Sequence, residues 1–401
     1  MDFDYLDRGD IYLDSACQTL RPQQVIDAQA DYFTQYNACA GRVKYAWGKK
    51  VDDIIAETRS AMLDLVGLPE KKYTCAFTLN TTYGINLVLQ QLPKGRFKRI
   101  ITSEIEHNSV FIPSMVVAEK LGLERLVLKR AADGSLIYEP EQLDAAVIIL
   151  NCVSNIDGRK LKNLSQLVED AHKRGGIVLV DAAQAFAHDS SFLKSIPVDA
   201  LFTSGHKMYA PSLGIIIIKD DLLAQLDHTF LGGGTVQDVS RDSFTLLDAT
   251  AEPYATLEPG LQNFSGIIGL HEALKWRKTF RPKEAEPNLN ALLNLHDKNG
   301  YQKRVADLLF IGLTSIPNLN VINTVPSEII SVYHDKIDSH RLAMFLSEQG
   351  IMARSGYFCC HYYAKEVMKY PPLLRFSVGL HTTQVQVGKA VSVLAKILQV
   401  A

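Results

Sequence analysis

Polar residues stand just after several apolar runs of the sequence, at the points where buried strands are expected to end. Asp181 follows "GIVLV", His107 closely follows "RIITSEI", Lys207 closely follows "ALFTS", and the segment "NCVSNIDG" follows "AAVIIL". In a parallel sheet, ligands bind beyond the carboxyl ends of the strands. We therefore expect a carboxylate, an imidazole, an amine and an amide to converge at one edge of a sheet.

These groups favour a site for a flat, phosphorylated heterocycle. Thr81 and Thr82 follow Asn80 at a predicted helix start, where free backbone N–H groups and the helix dipole attract phosphate. A buried Asp181 needs a cationic partner, which a protonated ring nitrogen would supply. Lys207 is an amine that could bind an aldehyde. Pyridoxal 5'-phosphate meets all three requirements, because its enzymes hold it through a lysine and an acidic residue at the pyridine nitrogen.

Each of these residues also has a purely structural interpretation. Asp181 could cap the following helix, since Asp is favoured at that position. A lysine beside a strand is often a surface residue whose stem covers apolar groups. His107 lacks the partners of a metal ligand, because the sequence contains no HExxH or HxH pattern. We therefore assign no metal site.

The elements that would position these residues lie between about residue 70 and residue 220. Short β-branched runs alternate there with helical patterns such as "LSQLVEDAHKRGG", which predicts an α/β fold with a mainly parallel sheet covered on both faces. The predicted strands are "CAFTL", "RIITSEI", "RLVLKR", "AAVIIL", "GIVLV", "ALFTS" and "GIIIIKD".

The pattern changes after the long amphipathic segment "EPGLQNFSGIIGLHEALKWRK", where the prolines of "FRPKEAEPN" interrupt the chain. We place a domain boundary between residues 270 and 285. Residues 21–270 are assigned to a large domain that binds pyridoxal phosphate, and residues 1–20 and 271–401 to a small α+β domain. Its predicted strands are "EIISVYHD", "GIMARSG" and "LLRFSVGL", followed by a last helix.

Composition limits the classes of protein that need to be considered. The chain has 401 residues, of which 47% are hydrophobic, so it can bury a large core. Its net charge of -2, without blocks of like charge, gives no reason to expect nucleic acid or an anionic membrane as a partner. The cysteines lack the spacing of a disulfide scaffold or a structural zinc site. No long apolar segment or secretion signal is evident, so a cytoplasmic location is expected.

Motifs along nearly the whole chain resemble the class-V aminotransferase family of fold-type I pyridoxal phosphate enzymes, and within it the cysteine desulfurase and selenocysteine lyase branch. The matching segments are "IYLDSACQTLRP", "TTYGIN", "SEIEHNS", "VSNIDG", "VDAAQAFAH", "TSGHK", "LGGGTV", "RSGYFC" and "LRFSVGLHTT". The D-x-x-Q-x-x-x-H pattern followed by S-x-H-K is the most specific of them. The resemblance implies a large domain with a mainly parallel seven-stranded sheet and a small α+β C-terminal domain.

The resemblance also implies which residues bind the cofactor. Lys207 would hold the aldehyde, Asp181 would pair with the pyridine nitrogen, and Gln184 would bond to the ring hydroxyl. His107 would stack on the ring and take part in catalysis. The residues that match phosphate-binding positions of the family are Thr81, Thr82, Ser204 and His206.

Further matches concern the substrate and a second subunit. Arg375 matches the arginine that binds the substrate α-carboxylate, a task suited to a planar guanidinium, and Asn155 matches an asparagine beside that carboxylate. Arg354 matches an arginine near the active-site entrance. Thr235 matches a residue that reaches the phosphate in the neighbouring subunit, which implies a homodimer with shared active sites.

Cys359 stands five residues after Arg354, the spacing at which group II desulfurases carry the cysteine that receives sulfur. The resemblance therefore implies removal of sulfur from L-cysteine, giving L-alanine and a persulfide on Cys359 that an acceptor protein could collect. Asn80 and the segments "CAGRVKY" and "CHYY" depart from the family pattern. A C–S lyase, a selenocysteine lyase, an aminotransferase or an epimerase therefore stays open, as does a non-catalytic protein that retains the fold.

Overall fold

A computed structural model describes residues 2–6, 9–41, 43–248, 251–282 and 298–400. The strands are β1 (Ile11–Tyr12), β2 (Tyr73–Thr78), β3 (Arg99–Ser103), β4 (Glu124–Leu128), β5 (Ala146–Asn151), β6 (Ile177–Asp181), β7 (Ala200–Ser204), β8 (Gly214–Lys219), β9 (Val236–Val239), β10 (Phe244–Leu246), β11 (Leu319–Val321), β12 (Ile329–His334), β13 (Ile351–Met352), β14 (Arg354–Gly356) and β15 (Leu373–Ser377). Each strand predicted from an apolar run is present at its expected place.

The α-helices of the described residues lie between and after these strands. They are α1 (Gln23–Gln35), α2 (Ala46–Val66), α3 (Thr81–Gln90), α4 (Asn108–Leu121), α5 (Leu164–Lys173), α6 (Ala183–Ala187), α7 (Asp220–Leu223), α8 (Phe264–Thr279), α9 (Lys298–Thr314), α10 (Ser339–Glu348) and α11 (Gln384–Val400). None of the helices in the described part of the chain is long and apolar enough to cross a membrane.

The central sheet has seven strands in the order β2-β8-β7-β6-β5-β3-β4. All adjacent pairs from β7 to β4 are parallel, whereas β8 is antiparallel to both of its neighbours. The predicted α/β fold with a mainly parallel seven-stranded sheet is therefore confirmed. Because the strands β7, β6, β5 and β3 are parallel neighbours, their carboxyl ends lie along the same edge.

The near-continuous apolar composition of the strands follows from burial of both sheet faces. In β5, Ile148 and Leu150 pack into one hydrophobic cluster with residues of α2, α5 and α8, while Val147 and Ile149 pack into another with residues of α3 and α4. Successive side chains of a strand point to opposite faces, so both sets must be apolar.

The C-terminal part contains a separate antiparallel sheet in the order β11-β12-β15-β14. Residues of this sheet pack with α9, α10 and α11 into a third hydrophobic cluster. The N-terminal strand β1 pairs in parallel with β13, and Ile11 and Leu13 pack into the same cluster, so this stretch joins the C-terminal unit. The division of the chain into domains stays a prediction, and part of its boundary, residues 283–285, lies outside the described residues.

Candidate active site

A cavity of about 230 Å³ lies at the carboxyl ends of the central strands. It brings together every site residue predicted from the sequence except Thr235. The predicted residues that line it are Thr81, Thr82, His107, Asn155, Asp181, Gln184, Ser204, His206, Lys207, Arg354, Cys359 and Arg375.

Lys207 and Asp181 come from neighbouring strands and act on each other electrostatically. Lys207 ends the helical turn that follows β7, and Asp181 is the last residue of β6. Burial raises the pKa of Asp181 and lowers that of Lys207, and the charge of each opposes the effect of burial on the other. Asp181 Oδ1 also accepts a hydrogen bond from the N–H of Ala183 at 3.0 Å. The carboxylate therefore supports the first turn of α6 and also faces the cavity.

Hydroxyl groups gather where α3 and α4 begin. Asn80 caps α3, because its Oδ1 accepts a hydrogen bond from Tyr83 N–H at 2.9 Å. Thr81 Oγ1 lies 2.6 Å from Ser204 Oγ, and Thr82 Oγ1 lies 2.6 Å from Ser109 Oγ. Such hydroxyl groups beside a helix N-terminus suit a phosphate. Ser109 was not predicted as a site residue, although it stands two residues after His107 in "EHNS".

His107 is held in one orientation at the start of α4. Its Nδ1 accepts a hydrogen bond from the N–H of Ser109 at 3.1 Å, which places the ring proton of the neutral imidazole on Nε2. Burial, followed by the charges of Lys207 and Arg375, lowers the pKa of His107 to about 3. The ring is therefore neutral at physiological pH and can stack on an aromatic ligand without adding charge.

Several buried polar atoms of the cavity have no hydrogen-bond partner within the described part of the chain. They are Gln184 Oε1, Asn155 Oδ1, Asn151 Oδ1, His206 Nδ1 and Arg375 Nε. Buried polar atoms are normally paired, so this set indicates a polar ligand. Gln184 itself is fixed because its Nε2 donates to Ala16 O at 2.8 Å. Of this set, Gln184 Oε1 and His206 Nδ1, together with Lys207, Asp181 and the hydroxyl groups, fit the functional groups of pyridoxal 5'-phosphate.

Arg375 and Arg354 share one carboxylate, that of Asp14. Arg375 Nη2 donates to Asp14 Oδ1 at 3.1 Å, and Arg354 Nη1 lies 3.7 Å from Asp14 Oδ2. Arg375 is buried and its Nη1 also donates to Asn155 O at 3.0 Å, whereas Arg354 is exposed. Asp14 was not predicted as a site residue. It stands two residues after β1 and bridges Ser377 of β15, so its place in the site depends on pairing between the N-terminal and C-terminal parts of the chain.

Cys359 lies on the cavity wall in a segment with an uncommon backbone conformation. Phe358 and Cys359 have φ angles of 48° and 57°, in the left-handed region. Asn155 Nδ2 donates to Phe358 O at 2.6 Å, and the N–H of Asn108 donates to Cys359 O at 2.6 Å. Cys360, in contrast, is fully buried, and burial raises the pKa of its thiol well above the ordinary value. Of these adjacent thiols, Cys359 is the accessible one.

Thr235 lies elsewhere in its own chain. It is fully buried, and its Oγ1 donates to Gly232 O at 2.8 Å in the loop before β9. It does not line the cavity that contains Lys207. A contact with the phosphate of a second subunit stays a prediction.

Comparison with known proteins identifies the family. Residues 11–389 match the profile of the aminotransferase class-V family. A Haemophilus influenzae protein named "Probable cysteine desulfurase" is 32% identical over 99% of this chain and 88% of its own length. "Cysteine desulfurase CsdA" of Escherichia coli K12 is 27% identical over 99% of this chain and 96% of its own length.

Solved structures agree with the sequence comparisons. The Escherichia coli cysteine desulfurase CsdA superposes with a TM-score of 0.86 at 25% identity, over 100% of this chain and 97% of that chain. A cysteine desulfurase from Thermococcus onnurineus has a TM-score of 0.87 at 24% identity, over 99% of this chain and 96% of that chain, which shows a common fold. With a matching family profile over nearly all of its residues and a matching fold, this chain belongs to the class-V aminotransferase family.

Proposed function

We propose that the protein is a pyridoxal phosphate-dependent cysteine desulfurase that removes sulfur from L-cysteine, giving L-alanine and a persulfide on Cys359. The observation that carries this proposal is the position of Cys359, whose thiol lines the same cavity as Lys207 and Arg375. The names of the relatives support the same activity.

The family implies pyridoxal phosphate, and the residues of the cavity fit it. Lys207 would hold its aldehyde, Asp181 its pyridine nitrogen and Gln184 its ring hydroxyl. The hydroxyl groups at the start of α3, with Ser204 and His206, would hold its phosphate, and His107 would stack on its ring. When bound, this cofactor withdraws electrons from the carbon atoms of the substrate.

The protein's own groups then have separate tasks. Arg375 would bind the α-carboxylate, for which its guanidinium carries an unpartnered Nε in the buried wall. Burial lowers the pKa of Lys207, which favours the neutral amine. A neutral Nζ can accept the proton of the substrate α-carbon and thus act as the general base. The charge of Asp181 raises the pKa of this amine and so offsets part of the decrease that burial causes.

Cys359 performs the sulfur transfer in this proposal. Its thiolate attacks the substrate sulfur, so that an S–S bond forms while the bond between the substrate β-carbon and sulfur breaks. The electron pair of the broken bond stays with the carbon product, which takes up protons and leaves as alanine. The sulfur remains on Cys359 as a persulfide until an acceptor removes it.

The experiment compares the products of the parent enzyme and Cys359→Ala, both loaded with cofactor and supplied with L-cysteine and a reductant. Alanine and sulfide should form with the parent at a rate at least about 100-fold above the variant, since the variant lacks the nucleophile. The absorption band of the lysine-bound cofactor should be the same in both. Lys207→Ala should lose both that band and turnover.

A C–S lyase is the main alternative, and the same experiment distinguishes it. Pyruvate and sulfide from both parent and Cys359→Ala would replace the desulfurase proposal with a lyase. Turnover of selenocysteine with no turnover of cysteine would indicate a selenocysteine lyase. Absence of the cofactor band in the parent would support a non-catalytic protein of the same fold.

We also propose a homodimer with shared active sites, located in the cytoplasm and delivering sulfur to an acceptor protein. Support for the dimer comes from an exposed apolar residue beside the loop that carries Thr235. Gly260 N–H donates to Gly233 O of this loop at 2.7 Å, and the next residue, Leu261, is exposed. The side chain of Leu261 is 78% exposed, which suits contact with a second copy.

A further inference from the structure

A second thiol, that of Cys17, lies on the wall of the same cavity as Cys359. The segment that follows β1 carries it there. The N–H of Cys17 donates to Asp14 O at 3.0 Å, and Ala16 O accepts the bond from Gln184 Nε2. The backbone of Cys17 and of the preceding Ala16 is therefore fixed by hydrogen bonds, which limits the positions available to the Cys17 sulfur.

The surroundings of Cys17 suit a reactive sulfur. The guanidinium of Arg354 donates to Cys17 Sγ through Nη1. A thiolate, which is the nucleophilic form of cysteine, accepts such a bond better than a thiol does. Cys17, Cys359 and Lys207 all line this one cavity, so the two sulfurs face the same enclosed space.

The remaining cysteines lack this combination of access and location. Cys75, Cys152 and Cys360 are buried, and burial raises the pKa of each thiol. Cys39 is exposed but does not line the cavity. Cys17 and Cys359 are thus the two thiols, among the described residues, that share the cavity wall.

We propose that Cys17 is a second sulfur-accepting residue, which takes the terminal sulfur of the persulfide on Cys359. The proposal rests on the proposed desulfurase function, because that reaction supplies the persulfide. It also assigns a task to Arg354, whose guanidinium holds the Cys17 sulfur at the cavity.

The exchange needs no further reactant. The Cys17 thiolate attacks the terminal sulfur of the protonated Cys359 persulfide, a new S–S bond forms at Cys17, and the S–S bond at Cys359 breaks. Cys359 leaves as a thiolate, and the transferred sulfur keeps its proton and its oxidation state. Charge and electrons balance, and Cys359 is free to accept sulfur from a second cysteine molecule. One chain would then hold about two transferable sulfurs in place of one.

The test is persulfide mapping on the cofactor-loaded enzyme. Parent, Cys17→Ser, Cys359→Ser and the matched control Cys39→Ser are incubated with L-cysteine without reductant, alkylated, digested and analysed by mass spectrometry. Parent and Cys39→Ser should carry persulfide on both Cys17 and Cys359 and give an alanine burst of about two per chain. Cys17→Ser should keep the Cys359 persulfide with a burst of about one, and Cys359→Ser should carry none on Cys17.

Other outcomes overturn the proposal in distinguishable ways. Persulfide confined to Cys359 in the parent would exclude the exchange while leaving the desulfurase function intact. Persulfide on Cys17 in Cys359→Ser would mean that Cys17 receives sulfur directly from the substrate. Equal labelling of Cys39 in the parent would show unspecific exchange. If the parent shows the cofactor band but forms no Cys359 persulfide, the desulfurase function fails together with the proposal.

Discussion

Arg375 combines tight confinement with an incomplete set of partners. Its guanidinium donates to Asp14 and to Asn155 O, and it lies 4.5 Å from the centre of the Phe358 ring. Nε is buried without a partner among the described residues, in a side chain that lines the cavity. Confinement of this kind reduces the entropy lost when a carboxylate binds, because the guanidinium is already held in place.

Arg375→Lys is therefore expected to weaken cysteine binding specifically. Lysine cannot offer the planar pair of N–H groups that binds a carboxylate, and loss of a charge-assisted hydrogen bond costs about 1.5–3 kcal/mol. We expect kcat/KM for L-cysteine to fall roughly 10- to 100-fold, mostly through KM. Steady-state kinetics with L-cysteine measure this effect.

A substrate without the carboxylate charge provides the control. L-cysteinamide should be a poor substrate of the parent, and Arg375→Lys should not lower its kcat/KM further. Arg354→Lys changes the other arginine of the Asp14 pair, which is exposed, and should affect KM less. An equal loss for cysteine and cysteinamide would contradict a role of Arg375 in binding the carboxylate.

Residues differ in how far the sequence alone could reveal them. Lys207, Asp181 and His107 could be predicted because each stands just after an apolar run, and parallel strands place such positions at one edge. Asp14 and Cys17 could not, since their place in the site depends on pairing between strands at opposite ends of the chain. Asn151 ends β5 at the same edge, but its short polar side chain also suits an ordinary strand end.

At the scale of elements, the segment that carries Cys359 is held in place by tertiary contacts. Consecutive left-handed residues cost roughly 1–2 kcal/mol each, so Phe358 and Cys359 need compensation from their surroundings. Backbone hydrogen bonds supply part of it. The rings of Phe111 and Tyr362 also stack with their centroids 4.6 Å apart, which joins this segment to α4. The departure "CHYY" thus has a structural role.

Tyr362→Ala is expected to slow sulfur transfer without weakening cysteine binding. An aromatic pair contributes about 0.5–1.5 kcal/mol beyond its buried area, and its loss should allow residues 358–360 to leave their conformation more often. We expect kcat to fall roughly 2- to 10-fold at unchanged KM, with faster hydrogen exchange in this segment. Stopped-flow kinetics and mass spectrometry measure the two effects.

Phe33→Ala is the matched control for this element. Phe33 makes an edge contact with Tyr32 on α1, with ring centroids 5.2 Å apart, and does not line the cavity. It should leave both kcat and hydrogen exchange near Cys359 as in the parent. A parent-like kcat of Tyr362→Ala would show that the stack does not hold the cysteine in place.

Strand positions were predictable from apolar runs, but one strand direction was not. The run "GIIIIKD" is as apolar as the parallel strands of the sheet, because β8 is also covered on both faces. Its antiparallel direction follows from the short connection between β7 and β8. This connection contains Lys207 and reverses the chain direction, so that β8 pairs antiparallel with β7. That connection is the one that places Lys207 at the cavity.

At the scale of the whole molecule, buried histidines link stability to pH. His188 and His381 lie outside the cavity, and burial lowers their pKa from the ordinary value of 6.5 to about 3 and about 4. Each ring is tied to a distant part of the chain: His188 Nδ1 accepts from Gln302 Nε2 at 2.9 Å, and His381 Nε2 donates to Tyr12 O at 3.0 Å. Both histidines are therefore neutral in the folded protein at physiological pH.

The free energy of unfolding should consequently decrease as pH falls below about 6.5. Above this pH the rings are neutral in both the folded and the unfolded state. Below it, the rings become protonated in the unfolded chain, whereas in the folded protein His381 stays neutral until about pH 4. Each such ring adds up to about 1.4 kcal/mol per pH unit to the slope. His381→Gln, which can still donate to Tyr12 O, should reduce the slope between pH 6 and pH 5 by about that amount. Urea unfolding at a series of pH values measures this slope. His340→Gln, at an exposed ring, is the control. A slope lowered equally by both substitutions would contradict the role of burial.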